Sequence, residues 1–250
     1  MPFSDAELHF LQTTDSTNLQ AGKLLKYSPL PEGSMIYTFN QTQGKGQGDN
    51  HWESEPEKNI TASAILYPHF LTAGQQFMLT KVVALSVCSL LDTFALPFQP
   101  EIKWPNDIYL NGHKIAGILI FNEISGNYIN HSIAGLGLNV NQSTFKSYIP
   151  PAISLKMITG KETPLHKVLT DWHTQLGYWY ELLMQSKNEE IDQAYLRRFY
   201  RLNQSASYFI RNEIVEATIT GLAEYGMLRL IDKTGKAITC GLHEIRFLHN

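Results

Sequence analysis

The dipeptide Asn111-Gly112 is the feature that most constrains the fold of this 250-residue chain. It stands between two strand-like runs, Ile108-Tyr109-Leu110 and residues 114–121. An Asn-Gly pair between two such runs is the strongest short-range signal for a β-hairpin with a type I′ turn. The sequence therefore predicts an antiparallel pair of strands near its middle. We expect Lys103 and Lys114 to lie near one another across the base of this hairpin.

The remaining patterns predict a mixture of strands and helices. This order favours an α+β domain, a mixed sheet with flanking helices, over a doubly wound sheet. Further strands are predicted near 35–39, 61–67 and 128–140, and helices over about 75–94, 166–184 and 191–202. After Asn203, short alternating runs predict a small β-barrel with strands at 207–210, 216–220, 227–231 and 237–240. We therefore predict two domains, 1–202 and 203–250.

Composition excludes several classes of protein. A net charge of −3 and a pI near 6.3 give no basic footprint for nucleic acid. Two cysteines, Cys88 and Cys240, imply no disulfide framework, fit a reducing compartment, and are expected to be buried. The start lacks the pattern of a signal peptide, and the apolar run 82–98 is interrupted by Asp92 and Pro97. We therefore expect a cytoplasmic protein that binds neither DNA nor a membrane.

The segment Lys103-Trp104-Pro105-Asn106-Asp107 places one cation beside a stiff turn. Trp104 precedes a proline, which favours extended backbone and fixes the position of Lys103. Two like charges about 4 Å apart at an effective dielectric of about 20 repel by about 4 kcal/mol, and a fixed ammonium offsets that cost. The pattern predicts a site that brings two anions together. The structural alternative is a strand end with a solvated lysine.

Residues 41–52, here called the lid, form a glycine-rich loop after a predicted strand. Its glycines at 44, 46 and 48 let backbone amides turn toward an anion, and Lys45 adds a positive charge. The lid lacks the Gly-Lys-Ser/Thr ending of a Walker loop and the helix that follows a dinucleotide fingerprint. We expect a mobile cover that orders over a phosphate-bearing ligand. An ordinary solvated hairpin connection is the alternative.

The segment Thr14-Asp15-Ser16-Thr17-Asn18 precedes an apolar run that predicts a helix. The spacing of Thr17 and Gln20 fits a capping box, which favours a structural role for these groups. The functional alternative is that Ser16, Thr17 and Asn18 present donors and acceptors to a small polar head group.

Together these segments resemble biotin–protein ligases, also called holocarboxylase synthetases. The resemblance is collinear and rests on five motifs: Asp15-Ser16-Thr17-Asn18, the lid with its closing Trp52, Lys103 to Asp107, Lys114-Ile115-Ala116-Gly117-Ile118-Leu119, and Gly135-Leu136-Gly137-Leu138-Asn139-Val140. It implies the class II aminoacyl-tRNA synthetase-like biotin/lipoate ligase fold with a small SH3-like domain at the C-terminus. It also implies activation of biotin with ATP to biotinyl-5′-AMP, followed by transfer to a lysine of a biotin carboxyl carrier domain of a carboxylase.

The resemblance implies a role for each matching residue. The residues implied to bind biotin are Ser16, Thr17, Asn18, Gln41, Gly44, Lys45, Gly46, Gln47, Lys103, Gly117, Gly135 and Gly137. Those implied to bind ATP are Lys45, Gln47, Trp52, Lys103, Asn106, Lys114 and Asn139. Lys103 would be the reacting cation. Asp107 would have one of two roles: it would help to deprotonate or orient the acceptor lysine, or it would brace the turn through backbone hydrogen bonds. Mg²⁺ would be held chiefly by the phosphates, and no protein metal site is predicted.

The lid departs from the family pattern, which often carries arginines through this loop. Lys45 and Gln47 stand at the first two such positions, and Asp49 and Asn50 at the later ones. Unlike the guanidinium of arginine, the ammonium of lysine cannot form bidentate hydrogen bonds to a phosphate. We therefore expect this lid to hold the adenylate less firmly.

Two other functions remain open from the sequence. A lipoate ligase or octanoyl transferase shares the architecture. An alkyl tail, however, would offer no hydrogen-bond partner to the polar groups of Ser16, Thr17 and Asn18. A non-catalytic biotin or nucleotide sensor is the second alternative, because the lid lacks its usual arginines. Ser16 comes too early for the DNA-binding winged helix that some members carry, which predicts a ligase without repressor activity. The sequence leaves open whether the protein is a monomer or a homodimer.

Overall fold

The computed structural model describes residues 2–48, 50–146 and 151–248. Its helices are α1 (Thr17–Leu25), α2 (Phe77–Asp92), α3 (Leu155–Thr159), α4 (Leu165–Met184) and α5 (Asn188–Arg197). The strands up to the middle of the chain are β1 (Leu8–Phe10), β2 (Met35–Thr38), β3 (Gly44–Lys45), β4 (His51–Trp52), β5 (Ile60–Leu66), β6 (Glu101–Lys103), β7 (Asp107–Leu110), β8 (His113–Ser125) and β9 (Tyr128–Leu138). The C-terminal strands are β10 (Ser205–Ile210), β11 (Glu213–Leu222), β12 (Leu228–Asp232), β13 (Ala237–Cys240) and β14 (Ile245–Phe247).

The larger sheet has seven strands in the order β1-β2-β5-β9-β8-β7-β6. The β1–β2 pair is parallel and the other pairs are antiparallel, so the predicted mixed sheet is confirmed. The predicted hairpin is β7–β8, and Asn111 and Gly112 at its turn have φ values of 49° and 76°. Positive φ at both central residues is what a type I′ turn requires.

Helices cover both faces of this sheet. All seven residues of β5 are buried, because α1 lies on one face while α2 and α4 pack on the other. Ala21, Ile36, Ile65 and Ile133 form a small apolar cluster under α1, and the main core lies on the opposite face. Since buried apolar area stabilises by roughly 25 cal/mol per Å², the two layers fix the sheet firmly. The sheet can therefore support a site on its α1 side.

A second, antiparallel sheet has the order β13-β12-β11-β10-β14. Within the described residues β13 and β14 are its two edges and do not pair with each other, so the sheet is SH3-like but open rather than a closed barrel. The Trp104 indole N–H donates to the Gly226 carbonyl at 2.8 Å and joins this sheet to the larger one. The domain boundary between residues 202 and 203 stays a prediction.

Several local expectations differ from the structure. The helix expected to reach residue 202 ends at Arg197, and Arg201 and Asn203 both have φ of 58°, a left-handed value that helix residues do not adopt. The predicted capping box of Thr17 with Gln20 is wrong, because Ser16 is the N-cap and its side chain makes no cap hydrogen bond. The side chain of Thr17 instead contacts Ser63 and Gln41.

One stretch, Ala73–Asp92, has the length and apolar composition of a membrane span. It contains α2, and 56% of its most apolar window is buried inside the protein. Such burial is typical of a core helix. Cys88 on α2 and Cys240 on β13 are buried free cysteines, as predicted.

Candidate active site

A cavity of about 160 Å³ lies between the lid, the start of α1 and the middle strands of the large sheet. Fourteen of the residues expected at the site line it: Ser16, Thr17, Asn18, Gln41, Lys45, Gly46, Gln47, Trp52, Asn106, Asp107, Lys114, Gly117, Gly135 and Gly137. Five further residues complete the lining: Asn50, His51, Ile118, Leu119 and Leu136. Segments separated by more than a hundred residues in sequence therefore meet at one place.

The start of α1 forms a buried polar end to the cavity. The Thr17 backbone N–H donates to the Gln41 side-chain oxygen at 2.9 Å. The Asn18 amide donates to the Leu119 carbonyl at 3.0 Å, while its oxygen accepts from the Ser63 hydroxyl at 2.6 Å. That hydroxyl also lies 2.7 Å from the Thr17 hydroxyl. These hydrogen bonds fix the orientation of groups suited to an uncharged polar ring.

Ser63 does not line the cavity but holds Thr17 and Asn18 at its edge, a supporting role that was not predicted from the sequence. It is fully buried on β5, opposite Gly135 of β9. The available signal was a hydroxyl residue in the otherwise mostly apolar run of β5, since a buried hydroxyl requires a hydrogen-bond partner. Without that signal, the pattern of β5 indicates only a strand buried in the core.

A row of paired residues forms the floor of the cavity. Gly137 pairs with Gly117 across β9–β8, and Gly117 pairs with Asp107 across β8–β7. The Trp52 indole lies over these two glycines, and a Cβ at Gly137 would collide with its ring. The indole N–H is buried and has no hydrogen-bond partner among the described residues. An unpaired buried donor costs about 1–3 kcal/mol, so a bound ligand with an acceptor here would be favoured.

The other end of the cavity carries an ion pair. Lys114 Nζ lies 2.6 Å from Asp107 Oδ1, and the two side chains are 29% and 22% exposed. The Asn106 amide donates to the Ile118 carbonyl, and the Ile118 N–H returns to the Asn106 carbonyl at 2.9 Å. These bonds tie the turn before β7 to β8 and hold Asp107 beside the ammonium. The site thus combines a neutral polar end with an end that carries an ion pair.

Lys103 does not line this cavity. Its ammonium donates to the Tyr109 hydroxyl at 3.0 Å and lies 4.9 Å from the Tyr109 ring centroid and 5.2 Å from that of Phe247. Burial lowers the pKa of Lys103 to about 8, with a further lowering from Lys114. The two lysines are near one another, as expected, and the role of Lys103 as the reacting cation stays a prediction. The aromatic rings draw its side chain toward the C-terminal sheet.

Two other expected residues lie outside the lining. Gly44 pairs with Trp52 in the short β3–β4 ladder that shapes the lid. Asn139 donates to the Ile153 carbonyl at 3.0 Å, and its own oxygen is buried without a partner among the described residues. In the lid, Lys45 is exposed and the Gly46 N–H donates to the Asn50 carbonyl at 2.7 Å. Asp49, which was expected to replace a family arginine, lies outside the described residues.

A divalent cation has few protein ligands available at this site. In the ranges that the structure describes, no group of three or more His, Cys, Asp or Glu side chains is placed to hold a metal. The cavity carboxylate, Asp107, is already paired with Lys114.

The comparisons with known proteins agree with this geometry. The profile of the Biotin/lipoate A/B protein ligase family matches residues 10–139, slightly more than half of the chain. The bifunctional ligase/repressor BirA of Bacillus spizizenii is 35% identical over 114 residues, which are 46% of this chain and 34% of that protein. The chain thus matches about a third of the length of the Bacillus relatives. The biotin--[acetyl-CoA-carboxylase] ligase of Paracoccus denitrificans is 28% identical over 92% of this chain and 93% of its own length.

Solved structures show the same fold. The biotin protein ligase of Aquifex aeolicus in complex with biotin and ATP superposes with a TM-score of 0.78 at 24% identity, covering 98% of this chain and 99% of that one. A biotin acetyl coenzyme A carboxylase synthetase of Helicobacter pylori with bound biotinylated ATP gives 0.59 at 21% identity, covering 94% and 100%. The family match, the fold and the arrangement of the cavity agree with one another. This chain is a member of the biotin/lipoate A/B protein ligase family.

Proposed function

We propose that this protein activates biotin with ATP to biotinyl-5′-AMP and transfers the biotinyl group to a lysine of a biotin carboxyl carrier domain. The observation that supports this most strongly is the cavity itself. It joins a buried amide and hydroxyl cluster, suited to an uncharged ureido ring, to the Asp107–Lys114 pair beside a glycine-rich lid. The names of the Paracoccus and Aquifex relatives point to the same reaction.

The first step joins two anions. A biotin carboxylate oxygen attacks the α-phosphorus of ATP, a new P–O bond forms, and pyrophosphate leaves with the electron pair of the broken bond. Lys114 would neutralise both partners once they displace Asp107 as its counter-ion, and Lys45 of the lid would add charge. We propose Lys114 for the role of reacting cation, and Lys103, which the resemblance implies for it, is the competing candidate. Mg²⁺ bound to the triphosphate would lower its negative charge further.

The second step needs a neutral lysine amine. Its nitrogen attacks the acyl carbon, a C–N bond forms, and the bond to the phosphate oxygen breaks so that AMP leaves with that electron pair. The amine then gives up a proton. Asp107, which lines the cavity, would accept this proton or orient the amine once substrates compete for Lys114.

The polar end of the cavity decides between biotin and lipoate. Ser16, Thr17 and Asn18 are all more than 90% buried, and the hydrogen-bonding capacity that remains beyond their contacts within the protein would stay unused against an alkyl tail. The test is ATP–pyrophosphate exchange with the purified chain, using biotin, lipoate and octanoate in parallel. Exchange that depends on biotin alone is expected. Exchange that depends on lipoate or octanoate would overturn the assignment.

A non-catalytic sensor is the second candidate, favoured by Lys45 and Gln47 in the lid in place of arginines. Calorimetry with biotin and ATP, combined with labelling of a carrier domain, separates the two. Binding without labelling would favour the sensor. A cytoplasmic location and the lack of operator binding also stay predictions, and gel shift on operator-like DNA tests the latter.

A further inference from the structure

The lid is held by hydrogen bonds at both of its ends. At its start, the Thr42 N–H donates to the Thr14 carbonyl at 2.9 Å. The next residue, Gln43, donates its N–H to the Asp15 carbonyl, also at 2.9 Å. At its end, Trp52 covers the glycines of the cavity floor. The contacts of the chain directly after Trp52 therefore decide how firmly the indole is held there.

Gln142, in the loop after β9, supplies the contacts at this second end. It is fully buried, and its side-chain oxygen accepts from the Glu55 backbone N–H at 3.0 Å and from the Asn59 amide. Its NH₂ group donates to the Thr144 carbonyl at 2.8 Å and to a Glu53 carboxylate oxygen at 3.4 Å. Two donors and two lone pairs are the full capacity of such an amide, so its orientation is fixed. Three of its four partners come from the segment that follows the lid.

Asn59 links the same segment to the large sheet. It is fully buried directly before β5, and its oxygen accepts from the Val140 N–H at 3.0 Å. Its amide also lies 3.3 Å from the Ser54 hydroxyl. A buried donor or acceptor that loses its partner costs about 1–3 kcal/mol. The segment after Trp52 therefore cannot move away from Gln142 without that cost.

The neighbouring side chain, Asn141, is bonded to a different part of the chain. It is 7% exposed, its amide donates to the Thr163 carbonyl at 2.9 Å, and its oxygen accepts from the Thr163 N–H at 2.9 Å. Asn141 and Gln142 are thus two adjacent buried amides with separate partners. A change at Asn141 loosens the same loop and leaves the hydrogen bonds to the segment after the lid in place.

We propose that Gln142 is a positioning residue that holds Trp52 over the cavity floor and thereby slows the escape of the acyl-adenylate. The proposal rests on the proposed function. Gln142 does not line the cavity, so it acts through the residues that follow Trp52. Without it the lid would open more often, and the adenylate would leave for the solvent, where water hydrolyses it to biotin and AMP. The Asp107–Lys114 pair lies on β7 and β8 and would be unaffected.

The test uses the full chain and measures adenylate formation and adenylate release separately. Biotin-dependent pyrophosphate exchange reports formation. Release is followed by loading the protein with radiolabelled biotinyl-5′-AMP and chasing with an excess of the unlabelled compound. Gln142→Met keeps a long side chain and removes its hydrogen bonds, and Glu53→Ala removes one contact from a partly exposed residue. Asn141→Leu is the matched control, because it also removes a buried amide from this loop.

Gln142→Met is expected to release the adenylate about tenfold faster, equivalent to about 1.4 kcal/mol, with kcat for exchange near wild type. Glu53→Ala should show a smaller increase, and Asn141→Leu should release at the wild-type rate. Unchanged release in Gln142→Met would overturn the proposal, and so would equal acceleration in Asn141→Leu, because the effect would then be a general loosening of the loop. If circular dichroism shows that Gln142→Met does not fold, unchanged release in Glu53→Ala overturns it. Failure of the wild type to form the adenylate would instead contradict the proposed function.

Discussion

Replacing Lys114 by methionine is expected to reduce biotin-dependent pyrophosphate exchange by about three orders of magnitude. The side chain keeps its length and loses its charge. Lys114 and Asp107 are partly exposed, so an effective dielectric of about 20 applies at this site. At about 4 Å, the repulsion between carboxylate and phosphate is then about 4 kcal/mol. Because each 1.36 kcal/mol is a tenfold change in rate, losing this compensation corresponds to roughly a thousandfold.

Folding should be affected far less by the same change. The Asp107–Lys114 pair is partly exposed, and such pairs contribute at most about 1 kcal/mol to stability. Circular dichroism and urea denaturation would check that the variant folds. Lys103→Met is the matched comparison, because its ammonium lies between the rings of Tyr109 and Phe247 and outside the cavity. Near-normal exchange in Lys114→Met with a severe loss in Lys103→Met would refute this reasoning and restore Lys103 as the reacting cation.

Three further predictions concern the cavity and its surroundings. Gly137→Ala should displace the Trp52 indole above it, and KM for biotin and ATP should rise with little loss of stability. Gly22→Ala is the control: its added Cβ would be in ordinary van der Waals contact, so both KM values should stay unchanged. Ser63→Ala should lower the free energy of unfolding by about 1–3 kcal/mol in urea titrations, since it leaves a buried acceptor of Asn18 unpaired, and an unchanged free energy, as expected for the exposed Ser28→Ala, would contradict the role of this hydroxyl. Because the pKa of Lys103 is lowered to about 8 in the folded protein, the unfolded chain binds more protons between about pH 8 and pH 10.4. The difference in free energy of unfolding between the wild type and Lys103→Met should therefore rise with pH across that interval, as measured by urea titrations. A difference that does not change with pH would contradict the buried ammonium.

The parts of the fold that follow local rules were predictable. The type I′ turn at Asn111-Gly112 fixed the β7–β8 hairpin, because few other backbone conformations accept two successive positive φ values. Long apolar periodic runs identified α2 and α4. Strands β1, β6 and β14 were missed because each has three residues, too few to establish an alternating pattern. Such short edge strands form because a neighbouring strand is already in place.

The site divides in the same way. Glycines 117, 135 and 137 were expected at the biotin site, and they lie under the side chains of Trp52 and Asn18. The direction of the Lys103 side chain was not predictable, since it depends on Phe247, which is 144 positions away in the chain. Ser63 was missed for a similar reason: its partners on α1 come from a remote segment. Sequence motifs identify which backbone segments converge, while the direction of a long side chain depends on tertiary contacts.

Transfer of biotin to a purified carrier domain can be measured in one assay. The full chain is incubated with the carrier, ATP and biotin, and the carrier is analysed by intact-mass and peptide mass spectrometry. One biotinylated lysine is expected, formed only when ATP and biotin are both present and lost in Lys114→Met. Tight binding of biotin and ATP without any labelled lysine, or undiminished labelling by Lys114→Met, would contradict this expectation.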